Sequence, residues 1–352
     1  MMSKSLMLLS LLSPVAFAFV SRAPASTLSR AASTHARKNL VKASAVDYTT
    51  AFMFPGQGAQ YVGMGAQVAE EVPAAKALFE KASAILGYDL LERSVNGPKD
   101  LLDSTAVSQP AIFVTSAAAV EKLRATEGEA AVNTATVAMG LSLGEYTALW
   151  YAGAFSFEDG VRLTKARGEA MQAAADLVDT TMVSVIGLDP DKVAELCSAA
   201  SKKSGEKIQI ANYLCPGNYA VSGSLKAAQV LEEIAKPDFG ARMTVRLAVA
   251  GAFHTEYMAP AVEKLKEVLA KTEFKTPRIP VISNVDGKAH SDPEEIKAIL
   301  ARQVTSPVQW ETTMNDLVKG GLETGYELGP GKVCAGIMKR IDRSAKMVNI
   351  EA

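Results

Sequence analysis

The pentapeptide GLSLG at 140–144 constrains the fold of this chain more than any other short segment. An apolar run at 134–139 (TATVAM) precedes it, and a helical pattern from 145 to 152 follows it. The flanking glycines of a GxSxG permit a tight strand-to-helix turn that lifts the serine hydroxyl clear of the sheet. The helix N-terminus also brings backbone N–H groups near a developing negative charge. The segment indicates either a nucleophile elbow with Ser142 as the nucleophile, or an ordinary Gly-rich turn.

Short apolar runs that end in turns recur along the rest of the chain, with helical patterns between them. Such runs lie at 51–54, at 280–284 and at 325–328. Alternating strands and helices are typical of α/β proteins, in which helices connect parallel strands. We therefore predict an α/β fold with a largely parallel central sheet.

The middle of the chain shows a different order of elements. Its strand-like and helical runs alternate as β-α-β-β-α-β, at 182–188, 190–201, 208–212, 219–223, 224–235 and 243–249. This is the order of a ferredoxin-like split unit. We predict a hydrolase-like large domain formed by 47–177 and 249–352, and a small ferredoxin-like domain formed by 178–248.

The first 46 residues differ in composition from everything after them. They contain six basic residues and no acidic one, and they open with an apolar stretch too short to span a bilayer. A small-residue cleavage site at 16–18 is followed by a Ser-, Ala- and Arg-rich stretch. This arrangement resembles the signal-plus-transit presequence of plastid proteins in algae with secondary plastids. We expect residues 1–46 to direct the chain to the plastid stroma, with a plain secretory signal as the alternative.

Charge and cysteine content exclude several classes of function for the remainder. Without residues 1–46 the chain has 31 basic and 38 acidic residues, a net charge near −7, which disfavours nucleic-acid binding. No later apolar stretch reaches membrane-spanning length. The three cysteines are widely spaced, with no CxxC, so neither a disulfide scaffold nor a zinc site is expected. We expect no metal, no bound cofactor and no membrane contact in the processed chain.

A serine nucleophile needs a general base, which is normally a histidine. Of the three histidines, His35 lies in the predicted presequence and His290 lies in a polar turn. His254 lies in an apolar setting at a strand-to-helix junction. It is either the base for Ser142 or a core histidine with a satisfied hydrogen bond.

Two further segments have both a functional and a plain interpretation. The turn PGQGAQ at 55–60 is not followed by Lys-Ser/Thr, so it is not a P-loop. A turn that carries a side-chain amide suits oxyanion binding. A plain strand-to-helix turn fits the segment as well. Arg167 lies in a helical pattern at 157–175. It is either a solvated cation or, for a carboxylate-bearing substrate, its bidentate partner.

Seven motifs in this order resemble the malonyl-CoA:acyl-carrier-protein transacylases of type II fatty-acid synthesis. The resemblance covers residues 52 to about 340. Its motifs are FPGQGAQ (54–60), GLSLGEYTAL (140–149), RLTKARGEAMQ (162–172), NYLCPGNYAVSG (212–223), GAFHTEYM (251–258), RQVTSPVQW (302–310) and ELGPGKV (327–333).

The resemblance implies a role for each matching residue. Ser142 would be the acylated nucleophile, and His254 its general base and acid, oriented by a main-chain carbonyl rather than by an aspartate. The backbone N–H groups of Gln57 and Leu143 would form the oxyanion hole. Arg167 would bind the free carboxylate of the malonyl group.

Further substrate-binding positions follow from the same resemblance. Gln303 lies where the family has a glutamine beside the catalytic histidine, and Phe253 gives the Ala-Phe-His form of members that accept malonyl groups. Asn212 opens the fourth motif and is also expected to contact substrate. Leu141 differs from the histidine of many bacterial members and resembles the plant and cyanobacterial form.

The resemblance also implies the reaction and its partners. The substrates would be malonyl-CoA and phosphopantetheinylated acyl-carrier protein, in a ping-pong reaction through a malonyl-serine. We expect a monomer. Among the alternatives, a lipase or esterase shares GxSxG, but no HGGG-type oxyanion motif and no clear triad acid accompany it.

Two more alternatives share the motifs themselves. An acyltransferase domain of a polyketide synthase would carry them, although the presequence and the lack of flanking modules favour a stand-alone enzyme. A non-catalytic scaffold that binds the carrier protein would keep the fold, but would have little use for Ser142, His254 and Arg167 together.

Overall fold

The computed structural model describes residues 46–352. Residues 1–45 of the predicted presequence lie outside the described part. The described part forms nine strands: β1 (Thr50–Phe54), β2 (Val137–Gly140), β3 (Thr180–Ile186), β4 (Ile208–Cys215), β5 (Asn218–Ser224), β6 (Met243–Arg246), β7 (Val281–Ile282), β8 (Thr324–Gly329) and β9 (Met347–Glu351).

Fourteen α-helices and one short 3₁₀ helix (Glu256–Met258) connect the strands within these residues. The α-helices are α1 (Ala66–Glu71), α2 (Pro73–Leu86), α3 (Leu90–Asn96), α4 (Lys99–Asp103), α5 (Thr105–Glu127), α6 (Glu129–Val132), α7 (Gly144–Tyr151), α8 (Phe157–Ala175), α9 (Pro190–Ser204), α10 (Leu225–Ala235), α11 (Ala259–Lys271), α12 (Pro293–Gln303), α13 (Trp310–Lys319) and α14 (Val333–Ile341). None of the helices described is both long enough and apolar enough to cross a membrane.

Five strands form a parallel sheet in the order β7-β2-β1-β8-β9. Alternate residues of β1 enter different cores, because successive side chains of a strand point to opposite faces. Phe52 and Phe54 pack into the core that includes residues of α5, α7 and α11. Ala51 and Met53 pack against α13 and α14 on the other face. Covered on both faces, β1 from Ala51 onward and β2 are apolar throughout, as is typical of strands in the middle of a parallel sheet.

The other four strands form an antiparallel sheet in the order β4-β5-β3-β6. Helices α9 and α10 pack on this sheet around a separate apolar core that includes Leu196, Val221 and Leu231. The predicted fold class, a mostly parallel α/β domain with a ferredoxin-like unit, is confirmed. The sheet spans Thr180 to Arg246, and the exact domain bounds 178–248 stay a prediction.

Three predicted strands, at 134–139, 280–284 and 243–249, are shorter in the structure, and the last of them has a visible cause. Strand β6 ends at Arg246, although the Leu247 N–H still donates to the Met182 oxygen of β3 at 3.0 Å. The chain then turns away from the sheet, with the Val249 N–H donating to the Leu247 oxygen at 2.9 Å. The side chains of Leu247 and Val249 thereby reach a cavity beside the large sheet. The apolar pattern that suggested a longer strand reflects the wall of this cavity.

The carboxyl ends of three neighbouring parallel strands meet at one edge of the large sheet. Phe54 lies opposite Gly140, and Met139 lies opposite Ile282. Ligands of open α/β sheets bind outside the carboxyl ends of the strands. The turns that carry Gln57, Ser142 and Asn284 all leave the sheet at this edge.

Candidate active site

Ser142 lies on a strained turn between β2 and α7. Its φ of 52° is in the left-handed region, which non-glycine residues rarely adopt. A Cβ on Gly140 would lie 2.0 Å from the carbonyl of Gly144, and one on Gly144 would lie 2.1 Å from the Phe54 oxygen. Glycine is therefore required on both sides by contact with backbone. The turn has the geometry of a nucleophile elbow.

His254 lies beside the hydroxyl of Ser142. The distance from Ser142 Oγ to His254 Nε2 is 2.9 Å, and that from His254 Nδ1 to the Gln303 main-chain oxygen is 2.9 Å. A carbonyl only accepts, so Nδ1 carries the proton and Nε2 is free to accept one from Ser142. Burial, and then the charge of Arg167, lowers the pKa of His254 to about 4. The imidazole is therefore neutral near pH 7, as a general base must be.

Arg167 places a buried guanidinium against the same hydroxyl. Its Nη2 lies 3.0 Å from Ser142 Oγ and 2.9 Å from Gln303 Oε1, and its Nη1 lies 2.8 Å from Gln109 Oε1. The side chain is 1% exposed, and burial lowers the pKa of Arg167. Its partners among the described residues are neutral oxygens, so the positive charge is available to an anionic ligand.

A cavity of about 190 Å³ opens onto Ser142, His254 and Arg167. Its walls are largely apolar and come from both sheets, including Met182, Leu214 and Leu247 on the small-sheet side. An apolar cavity with a few convergent polar groups is the usual form of a small-molecule site. Within residues 46–352, no cluster of three or more His, Cys, Asp or Glu side chains is arranged to hold a metal ion.

Gln57 and Leu143 have backbone N–H groups near Ser142: Gln57 lines the same cavity, and Leu143 follows Ser142 in the chain. Gly56, next to Gln57, packs so closely on the elbow that a Cβ there would lie 2.2 Å from the Leu141 oxygen. Neither the Gln57 nor the Leu143 N–H has a hydrogen-bond acceptor in the described part of the chain. The side-chain amide of Gln57 donates to Thr105 Oγ1 at 3.3 Å. The backbone N–H groups of Gln57 and Leu143 therefore meet the requirement of an oxyanion hole for donors with no other acceptor.

The remaining predicted site residues also lie at the cavity. Phe253 and Asn212 line it directly, and the Oδ1 of Asn212 is buried with no partner among the described residues. Gln303 lies behind Arg167 and His254 and is fully buried. All eight residues predicted for the site therefore surround one cavity or its immediate support, and their roles remain predictions.

Three polar residues of the site were not predicted from the sequence. Gln109 of α5 binds Arg167, Glu145 binds the side chain of Gln303, and Asn284 binds the backbone on both sides of the elbow. A signal existed for two of them: Glu145 is a lone acid at the start of an apolar helix, and Asn284 is polar at the end of an apolar strand. Nothing in the sequence around Gln109 singles it out.

The family of the chain follows from this site and from sequence comparison. A family model described as "Acyl transferase domain" matches residues 51–350. The chain therefore belongs to the acyl transferase family, whose members are acyltransferases.

The relatives within that family have a narrower description. The malonyl CoA-acyl carrier protein transacylase of Bacillus subtilis is 39% identical over 300 residues, covering 85% of this chain and 92% of the relative. The mitochondrial malonyl-CoA-acyl carrier protein transacylase of Mus musculus is 41% identical over 304 residues, covering 83% and 79%. The resemblance to malonyl-CoA:acyl-carrier-protein transacylases is confirmed.

Solved structures agree with the fold. An acyl carrier protein S-malonyltransferase from Vibrio cholerae superposes with a TM-score of 0.80 at 37% identity, covering 86% of this chain and 97% of the other. A malonyl-transacylase solved in complex with a type II PKS acyl-carrier protein has a TM-score of 0.81 at 34% identity, covering 86% and 96%.

Proposed function

We propose that this chain transfers the malonyl group of malonyl-CoA to the phosphopantetheine thiol of an acyl-carrier protein, through an ester on Ser142, and so supplies type II fatty-acid synthesis. The names of the relatives support the overall reaction. The contact of Ser142 Oγ with both a neutral histidine and a buried guanidinium supports the route through an ester.

In the first half-reaction, Ser142 Oγ attacks the thioester carbon of malonyl-CoA. His254 Nε2 takes the hydroxyl proton as the C–O bond forms, and the carbonyl oxygen becomes an oxyanion that accepts from the N–H groups of Gln57 and Leu143. Collapse of the tetrahedral intermediate breaks the C–S bond. His254 returns its proton to the departing sulfur, which leaves as CoA-SH, and Ser142 carries the malonyl ester.

The second half-reaction runs in the opposite sense. The carrier-protein thiol gives its proton to His254 while its sulfur attacks the ester carbon, and the same two N–H groups hold the oxyanion. The C–O bond to Ser142 then breaks, and His254 returns the proton to Oγ. The apolar walls of the cavity favour a thiol on a long arm over water as the second nucleophile.

The position of Arg167 is the observation that favours malonyl over other acyl groups. Its guanidinium is buried beside Oγ and is bound by neutral oxygens in the described residues. A malonyl carboxylate would pair with that charge, whereas an acetyl group would leave it unpaired, a difference on the order of 2–5 kcal/mol. The site is therefore expected to select malonyl over acetyl groups.

The first experiment isolates the two half-reactions. Residues 47–352 are incubated with malonyl-CoA without carrier protein, and the intact mass is compared with that of a Ser142→Ala variant. We expect a malonyl adduct on the wild type alone, which added holo-carrier protein discharges. An adduct lost to water at the same rate without carrier would favour a hydrolase, and no adduct despite carrier binding would favour a scaffold.

The localisation is a separate proposal, based on composition alone. We propose that residues 1–46 direct the chain to the plastid stroma, because an acid-free, Ser- and Arg-rich stretch follows a short apolar segment. A fluorescent protein fused after residue 46 is expected in the plastid of an alga with secondary plastids. Secretion of the fusion would establish the plain signal-peptide alternative.

A further inference from the structure

Glu145 is a buried carboxyl group to which the proposed reaction gives no role. It lies in the first turn of α7, three residues after the nucleophile, and is 3% exposed. Burial raises the pKa of its carboxyl group to about 7. Burying a carboxyl group costs free energy that specific contacts must offset.

The contacts of Glu145 lead to two residues of the active site. Its Oε2 accepts from the side-chain Nε2 of Gln303 at 2.6 Å and from the backbone N–H of Asn284 at 3.1 Å. Both donors are buried, at 0% and 2% exposure. A single carboxylate oxygen therefore joins the end of α12 to the turn after β7.

The bond to Gln303 determines which way its amide faces. Gln303 Nε2 also donates to the main-chain oxygen of Ser142 at 3.0 Å, so two acceptors lie on that side of the amide. The other end, Oε1, faces the guanidinium of Arg167. If the Gln303 amide were flipped, its Oε1 would face the oxygens of Glu145 and Ser142, and its N–H groups would face the guanidinium of Arg167. Glu145 therefore fixes the orientation in which Gln303 offers Arg167 an acceptor.

The same two residues also hold the catalytic pair. The main-chain oxygen of Gln303 accepts from His254 Nδ1, and so sets the imidazole plane. Asn284 Oδ1 accepts from the Ser142 N–H at 2.5 Å, and its Nδ2 donates to the Gly140 oxygen at 2.8 Å. Gln303 and Asn284, two of the residues that hold Ser142, His254 and Arg167 from behind, are thus both bonded to Glu145. Gln109, the other support of Arg167, is not among the partners of Glu145.

We propose that Glu145 is a positioning residue for acyl transfer, which aligns Arg167 and His254 through its hydrogen bond to the Gln303 side chain. This proposal rests on the proposed reaction of Ser142. Glu145 itself contacts neither substrate nor reacting atoms. Its role depends on the reach of an acceptor oxygen, and a misplacement of about 1 Å near a reacting centre is enough to cost about 100-fold in rate.

Two substitutions distinguish the length of the Glu145 side chain from its charge. Glu145→Gln keeps an oxygen at full reach and removes the charge, whereas Glu145→Asp keeps the charge and withdraws the oxygen by one methylene. We expect Glu145→Gln to acylate within about threefold of wild type and Glu145→Asp to acylate about 10- to 100-fold more slowly. Because Arg167 loses its fixed partner, the ratio of malonyl to acetyl acylation should also fall in Glu145→Asp.

A double-substitution cycle tests whether Glu145 acts through Gln303. Residues that act as a unit show non-additive effects. Glu145→Asp combined with Gln303→Leu is therefore expected to be no slower than Gln303→Leu alone. Glu327 is the matched control: its buried carboxylate accepts from the backbone N–H groups of Cys334 and Ala335, both at 2.8 Å, and among the described residues it has no hydrogen bond to Gln303 or to Ser142. Glu327→Asp should lower thermal stability, leave the malonyl-to-acetyl ratio unchanged, and add to Gln303→Leu.

Acylation is measured by quenched-flow mass spectrometry, with thermal unfolding recorded for every variant. If the wild type acylates and Glu145→Asp acylates at the same rate, the positioning role is overturned. If Glu145→Gln is slow at the same time, the charge of Glu145 matters and not the position of its oxygen. If the effects of Glu145→Asp and Gln303→Leu add, as those of Glu327→Asp and Gln303→Leu do, and the malonyl-to-acetyl ratio is unchanged, then Glu145 has a structural role only. Absence of acylation in the wild type would instead contradict the proposed function.

Discussion

His254 shows how its surroundings set the chemistry of a single residue. The ring is 2% exposed and lies close to the Arg167 guanidinium, and both features disfavour a second proton. The main-chain oxygen of Gln303 fixes the proton that remains on Nδ1. The hydrogen bond to the Gln303 carbonyl raises the pKa of the imidazole, but by less than burial and the charge of Arg167 lower it, so the ring is oriented and still neutral.

This environment predicts an acid-tolerant acylation step. Because the folded-state pKa of His254 lies near 4, below the ordinary 6.5, the ring stays neutral as pH falls from 7 to 5. We expect the rate of malonyl-Ser142 formation after a pH jump to decline with a midpoint near pH 4. The same shift means that the stability contributed by neutral His254 is present above about pH 6.5 and is lost as pH falls towards 4. A midpoint near 6.5 in the acylation rate would show that Arg167 and burial do not act on the ring as described.

Arg167 is expected to determine the acyl group. Arg167→Ala should slow malonyl acylation by at least about 30-fold, corresponding to about 2 kcal/mol, and acetyl acylation by less. Arg162→Ala is the matched control, because Arg162 lies on the same helix but is exposed and pairs with Asp159 at 2.9 Å. Competition between the two thioesters measures the ratio, and an unchanged ratio in Arg167→Ala would sink the assignment of Arg167 to the malonyl carboxylate.

At the level of elements, the elbow depends on two strand ends touching the start of one helix. The N-terminus of α7 packs on the carbonyl of Phe54, which leaves no room for a side chain at Gly144. Ser142 takes up the resulting backbone strain with its positive φ. Strain of this kind persists where the surrounding structure holds it in place.

The close packing of α7 on β1 predicts that a methyl group added at Gly144 destabilises the fold. Gly144→Ala places a Cβ about 2.1 Å from the Phe54 oxygen, so α7 must shift. We expect a loss of about 1–3 kcal/mol in the free energy of unfolding, together with slower acylation. Gly336→Ala in α14 serves as control, since nothing lies within 4 Å of its Cβ position; it should be neutral or stabilising by up to about 1 kcal/mol. Urea unfolding of both variants measures the difference, and equal stabilities would contradict the packing argument.

At the level of the whole molecule, the cavity lies between the two sheets, and α14 forms one of its walls. Val333 and Ile337 of α14 line the cavity, and Lys339 and Arg340 are exposed on the same helix. Lys202 and Lys203 lie on α9, which packs around the core of the small sheet and contributes nothing to the cavity. A carrier protein that brings its arm to Ser142 is therefore expected to dock beside α14.

Charge reversal tests this docking surface. The paired substitutions Lys339→Glu and Arg340→Glu should raise the KM for an acidic carrier protein several-fold and weaken its dependence on salt, because exposed charges act mainly on encounter. Malonylation of Ser142 by malonyl-CoA should be unaffected. Lys202→Glu with Lys203→Glu is the control on α9. An effect from the α9 pair alone would place docking on the small sheet instead.

The sequence by itself determined the fold class, the order of elements in the small domain and the residues with reactive side chains. Local patterns were enough for this: the bounds of α8 were predicted as 157–175 and found there, and the glycines at 140 and 144 predicted the elbow. The ferredoxin-like unit was predicted from the order of its strands and helices. The edge strand β9, from Met347 to Glu351, was missed, because it is only partly buried and its residues do not form a clear apolar run.

The tertiary structure alone decided how those reactive residues are held. Arg167 is an ordinary helix cation in the sequence, and only the approach of α5, α8 and α12 buries it against Gln109, Gln303 and Ser142. Glu145 and Asn284 are 139 positions apart, yet they share a hydrogen bond beneath the elbow. Periodicity and turn propensity are set by neighbouring residues, whereas burial, pKa and hydrogen-bond partners depend on atoms that long-range packing brings together. Motifs therefore identified Ser142 and His254, the proposed nucleophile and base, but not the buried hydrogen-bond network around them.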